Sequence, residues 1–92
     1  MLYKKKPIAI EAVQYLGINK QNRIMFDERP DWLEWNFKHD IIYMDGKNNL
    51  RIKTLEGDML VKPNNYIIKG VKGEVYSCDC DIFNKTYDKF DA

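Results

Sequence analysis

Histidine occurs once in this chain, cysteine twice, proline three times and glycine five times. Each scarcity removes a class of explanation. A structural zinc ion takes four ligands, and Cys78, Cys80 and His39 fall short of that within one chain, so no metal site is expected. Two cysteines one residue apart staple no fold, and a cytoplasmic chain keeps them reduced. The lone histidine lies at the end of an expected helix, where capping is its ordinary role. No Ser-His-Asp or Cys-His arrangement is suggested. No apolar run approaches the roughly 20 residues that a membrane-spanning helix needs. Glu11 interrupts the apolar stretch that follows Lys4-Lys5-Lys6, so no signal-peptide core is expected and the chain reads as cytoplasmic, with no membrane partner. Charge of one sign is missing as well. Fifteen basic residues balance 14 acidic ones to a net +1, whereas nucleic-acid binders usually carry a clear basic excess.

What is present suits a small packed domain. Hydrophobic residues make up 45% and aromatic residues 13%, with six Tyr, four Phe and two Trp. Rings bring large apolar areas and can fill a core without covalent staples. Ninety-two residues fit a single domain over residues 1–92.

The pattern along the chain predicts a mixed architecture. Pro7 to Leu16 reads as a strand, with Ala9, Glu11, Val13 and Tyr15 on one face. Both faces carry apolar groups, so Glu11 is the odd residue and is expected at a sheet edge or in a polar pocket, partnered by Gln14, Lys69 or Arg51. Gly17 ends this strand. Asn19 is placed to cap a short helix over Lys20–Phe26. Pro30 breaks it, and a second helix follows to Lys38 with a wide apolar face built from Trp32, Leu33, Trp35 and Phe37.

From Asp40 the pattern turns to strands. Ile41–Met44 and Leu50–Leu55 flank a loop with an Asp45-Gly46 hairpin signal. Glu56-Gly57-Asp58 is the next turn, then Met59–Val61, Tyr66–Lys69 and Glu74–Cys78 as strands. Asp81 is placed to cap a closing helix over Ile82–Thr86, with Tyr87 and Phe90 packing beside it. The expectation is an α+β fold. A small curved antiparallel sheet of about five or six strands is covered by two or three short helices.

Several blocks also carry a resemblance. They are Lys5–Gln14 (KKPIAIEAVQ is its full form, from Lys5), Thr54–Asp58 (TLEGD), Tyr66–Glu74 (YIIKGVKGE) and Asp81-Ile82-Phe83 with Lys85-Thr86-Tyr87; residues 17–49 match loosely, mainly through Pro30–Leu33. Through them the chain resembles a family of small proteins of bacterial tailed phages and prophages, mostly without assigned function. The chain departs from that pattern at Pro63-Asn64-Asn65, where the family has Pro-Gly-Asp, and at Cys80, where it favours Pro. Asn tolerates left-handed backbone, so the turn is expected to survive, without the acidic group. The resemblance implies a phage origin and no chemistry. Small phage accessory proteins often inhibit a host enzyme or disarm an immune system.

Candidate sites are few. Glu11, Glu56, Asp58 and Glu74 include no pair whose separation the sequence fixes, as acid–base chemistry requires. Gly70-Val71-Lys72-Gly73 lacks the length and the Lys-Ser/Thr of a phosphate-binding loop and reads as a tight hairpin. The expected function is therefore non-enzymatic binding with no cofactor, and the resemblance implies counter-defence or host modulation as its purpose, by gripping a host protein or sequestering a small nucleotide. A nucleotide pocket needs Lys or Arg beside aromatic faces. The candidate ligand-binding residues are Arg51, Tyr66, Lys69, Lys72, Glu11 and Trp32, with a homo-oligomer boundary as the expected location. Tyr43, Tyr66 and Tyr76 fall on strands and are expected to line one surface. The alternative is a nucleic-acid-binding accessory factor using Lys4–Lys6, Lys53 and Lys62.

Overall fold

The computed structural model describes residues 1–3 and 8–88. The basic run Lys4–Lys6, the strand start at Pro7 and the packing of Phe90 lie outside the described residues. The elements are β1 (Glu11–Ile18), β2 (Ile24–Phe26), α1 (Asp31–Lys38), β3 (Ile42–Met44), β4 (Leu50–Thr54), β5 (Gly57–Val61), β6 (Tyr66–Lys69), β7 (Val75–Cys78) and α2 (Cys80–Thr86). The fold is α+β and every strand pairing is antiparallel. The strands divide into two sheets, of order β2-β1-β6-β7 and β3-β4-β5.

A single apolar cluster joins the two sheets. Val13 and Tyr15 of β1, Ile67 of β6 and Val75 of β7 meet Leu33 of α1 and Ile42, Leu50, Ile52 and Val61 of the second sheet. Each is less than a tenth exposed. Burying a side chain of this size contributes about 1.5–3 kcal/mol. Alternation selects these residues: Leu50 and Ile52 of β4 point inward, while Arg51 and Lys53 point out. A chain of rings fixes α1 over the first sheet. Tyr15 meets Phe26 at 5.6 Å and Phe26 meets Phe37 at 5.9 Å between ring centres.

β1 starts later and runs further than its sequence pattern suggests. Gly17 lies within it, at φ +96°, where the pairing of β1 with β2 shifts register between Tyr15 and Gly17. An extra residue in one strand needs a kink, and glycine takes the left-handed backbone that other residues resist.

The helix expected over Lys20–Phe26 is absent; a turn and β2 stand in its place. The Asn19 side chain accepts the backbone N–H groups of Gln21 and Arg23 at 3.0 and 2.9 Å. That local bonding competes with a helix and reverses the chain. Ile24 and Phe26 then pack against the core while Met25 stays exposed, which is a strand period.

Smaller corrections follow the same logic. Thr54 pairs with Gly57, so the β4–β5 turn is Leu55-Glu56, and Gly57 and Asp58 belong to β5. α2 begins at Cys80, with Asp79 at its N-cap position in place of Asp81. On α1, Trp35 points outward and Asn36 takes the inward place, donating its Nδ2–H to the Trp32 carbonyl at 2.7 Å. The β6–β7 turn is the tight hairpin expected, with Gly73 N–H donating to the Gly70 carbonyl at 3.0 Å.

The Pro63-Asn64-Asn65 turn takes the left-handed conformation at Asn64, φ +76°. Asn65 has a second role. Its Oδ1 accepts the Cys80 N–H and its Nδ2 donates to Asp79, both at 3.0 Å. It thus caps α2 from a distant turn, satisfying one of the N–H groups a helix start leaves open.

Candidate functional site

The sequence-derived candidates are spread over the fold. Arg51 lies on the outward face of the second sheet. Tyr66 lies on the outer face of the first sheet, its ring stacked on Phe83 of α2 at 3.8 Å. Lys69 closes β6 and pairs with Glu11 across the register of β1 and β6, Nζ to Oε2 3.2 Å. Glu11 is exposed, so the expected coverage of both strand faces stops short of it. Lys72 sits exposed in the β6–β7 turn, its N–H held by Glu74 Oε2 at 3.0 Å. Trp32 is half-buried and packs against the core. Of these six, only Lys69 and Glu11 are in polar contact.

The tyrosines also divide. Tyr66 and Tyr76 share the outer face of the first sheet, under α2. There Phe83 also meets Tyr87, at 5.1 Å between ring centres. Burial raises the phenol pKa of Tyr66, and burial followed by a hydrogen bond with Tyr87 raises that of Tyr76. Tyr43 lies on the other sheet. The cysteines occupy two different elements, Cys78 ending β7 and Cys80 opening α2, so they do not share one strand face. Among the described residues no group of three or more His, Cys, Asp or Glu is placed to hold a metal ion. His39 caps α1, its Nδ1–H donating to the Trp35 carbonyl at 2.8 Å, and its ring stacks on Trp35.

A polar constellation forms on the outward face of β3-β4-β5. The register puts Tyr43, Arg51 and Leu60 in one row and Lys53 and Asp58 in the next. Tyr43 Oη donates to Asp58 Oδ2. Lys53 Nζ stands 5.5 Å from the centre of the Tyr43 ring. Arg51 Nε donates to Asp45 Oδ2 at 2.7 Å. Asp45 Oδ1 accepts the N–H groups of Lys47 and Asn49 at 2.8 and 3.0 Å.

Electrostatics follow from these bonds. The Arg51 guanidinium, helped by the Asn49 and Lys47 amides, holds the Asp45 carboxyl well below the usual carboxylate range. Asp45 in turn raises the Arg51 pKa. The hydrogen bond to Asp58, followed by burial and the Asp58 charge, raises the pKa of the Tyr43 phenol. Arg51 is thus paired with a carboxylate, Lys53 lies over the Tyr43 ring in the same row as Asp58, and the two cations and two carboxylates of the constellation balance in charge. Of this set the sequence marks Arg51 alone as a ligand candidate. The signal for the rest was the alternation of β4 and β5, which turns Lys53, Asp58 and Leu60 outward with Arg51 once the turn is placed at Leu55-Glu56.

A separate recess of about 560 Å³ opens beside β2, lined by Arg23, Ile24, Met25, Phe26, Arg29 and two asparagines. Among the described residues no helix is long and apolar enough to cross a membrane. Compared with protein-family models, curated proteins and solved structures, the chain matches none of them.

Proposed function

We propose that this is a non-enzymatic phage accessory protein that acts by binding a bacterial host protein, in counter-defence or host modulation. The reading of phage origin rests on the sequence blocks described above. The binding surface is the outward face of β3-β4-β5. The observation that carries it is the pre-paired set Tyr43–Asp58 and Arg51–Asp45 on an open sheet, beside Lys53 and a 39% exposed Leu60. Tyr and Arg are enriched at protein interfaces, and side chains already held by neighbours lose less freedom on docking. An open sheet face with balanced cations and carboxylates fits a protein partner with alternating charges. It fits a nucleotide or a nucleic-acid backbone poorly, because Arg51 is already paired with Asp45 and Lys53 has Asp58 as its register neighbour.

Native mass spectrometry of the chain purified from infected cells tests this. One stoichiometric host protein is expected with the wild type and is lost from the double variant Tyr43→Ala, Arg51→Ala. A retained nucleotide with no protein supports sequestration instead. Co-purified nucleic acid released by moderate salt supports the nucleic-acid alternative. A host protein held equally by the double variant refutes the assigned face.

A further inference from the structure

The recess beside β2 belongs to a different surface, on the other sheet. β2 is the outermost strand of the order β2-β1-β6-β7. Its register fixes which backbone groups are engaged. The Arg23 carbonyl accepts the Asn19 N–H at 3.0 Å, and the Asp27 N–H donates to the Gln14 carbonyl at 3.1 Å. Met25 pairs with Gly17. Along a strand the backbone groups of successive residues point to opposite sides. Arg23, Met25 and Asp27 therefore face β1, while Ile24 and Phe26 turn their N–H and C=O groups away from it.

One of those outward groups is occupied. Arg29 Nη2 donates to the Ile24 carbonyl at 2.7 Å. Among the described residues the Ile24 N–H and both Phe26 groups have no partner outside the sheet. Arg29 also pairs with Glu34, Nη1 to Oε1 2.6 Å, and stands 5.5 Å from the Phe26 ring centre. Both members of that ion pair are about half exposed, so Glu34 is readily exchanged for another carboxylate. Arg23 lines the same recess, and no acidic side chain does.

We propose that the β2 edge binds an extended acidic peptide segment by strand addition. The segment's backbone pairs with the Ile24 N–H and the Phe26 N–H and C=O. An acidic side chain on the Phe26 side of the edge reaches Arg29, the alternate apolar side chains lie on the opposite side against Met25, which is 41% exposed, and Arg23 adds positive charge to the recess. Unpaired edges accept strands in this manner, with main-chain bonds giving affinity and alternate side chains giving selectivity. The basic, acid-free lining makes the choice of an acidic segment.

Titration of the isotopically labelled full chain by NMR tests this, with a short blocked peptide alternating valine and glutamate. Shifts are expected at the Ile24 and Phe26 amides and at the Arg29 side chain. The same peptide with lysine for glutamate, or with its edge-facing amides N-methylated, is expected not to bind. The double variant Arg23→Gln, Arg29→Gln is expected to weaken binding by about tenfold or more. No shifts at millimolar peptide, shifts mapping elsewhere, or equal binding of the glutamate and lysine peptides overturns the proposal. The two peptide controls need no change to the protein, so a poorly folding variant leaves the test intact.

Discussion

The two sheets use their outer faces in opposite ways. In β6 of the first sheet, Ile67 and Ile68 are successive residues pointing to opposite faces, and both are buried. Ile67 joins the cluster between the sheets. Ile68 lies on the outer face with Tyr66 and Tyr76, where α2 packs through Phe83. In β4 of the second sheet, Leu50 and Ile52 are buried while Arg51 and Lys53 are not. Only a sheet covered on one face alternates in this way. A covered outer face is committed to stability, whereas an open one is free to carry a constellation such as Tyr43, Arg51, Lys53 and Asp58.

Substitutions separate the two faces. Ile68→Ala is expected to cost about 2–4 kcal/mol in urea unfolding, as for a buried side chain that leaves a cavity. Leu60→Ala, at the equivalent outward position of the second sheet, is expected to change stability by about 0.5 kcal/mol or less. Equal losses would erase the distinction.

The cover itself depends on Asn65. Asn65→Ala removes the only side chain that reaches the Cys80 N–H among the described residues, and it leaves Asp79 without that partner. A loss of about 1 kcal/mol is expected, as for a lost helix cap. Faster hydrogen exchange confined to α2 is the local readout. Unchanged exchange there would mean that α2 is held by its rings alone.

The open face has its own signature in pH. The Asp45 carboxyl is held below its ordinary value by Arg51. Its contribution to stability is complete above the unfolded-state pKa of about 4 and is lost as pH falls through the folded value. Asp45→Asn is expected to flatten the acid limb of the stability curve. Tyr43 is raised, so its contribution is complete below the unfolded-state pKa of about 10 and is lost as pH rises through the folded value. In Asp58→Asn, ultraviolet titration is expected to show Tyr43 ionising at lower pH than in the wild type. The smallest effect is expected at the exposed end of the covered sheet. Lys69→Ala breaks the pair with Glu11 and is expected to cost about 0.5 kcal/mol or less.

Period-2 alternation made most strands of the second half legible: β3, β4, β6 and β7 lie where apolar residues alternate or run between turn residues. Pro30 and Asp31 marked the start of α1. Asn19 misled, because its side chain closes a turn as readily as it caps a helix, and only the pairing of Ile24–Phe26 with β1 decides between them. The division into two sheets depends on which strands pair at long range, and short apolar runs do not encode that. The candidate face was half legible. Arg51 stood out by its charge, but Tyr43 and Asp58 are 15 residues apart, and their contact depends on the registers of two hairpins. Glu11 drew attention through an apolar neighbourhood that ends just before it reaches that residue.

Leu60 and Ile82 allow the most direct test. Both are exposed apolar residues, one on the outward face of the second sheet and one on α2. A photo-reactive amino acid placed at each position in turn, in infected cells, reports what touches each surface. One discrete host-protein adduct from position 60 and none from position 82 is the predicted result. An adduct from position 82 alone, or the same adduct from both, would contradict the assignment of function to the open sheet.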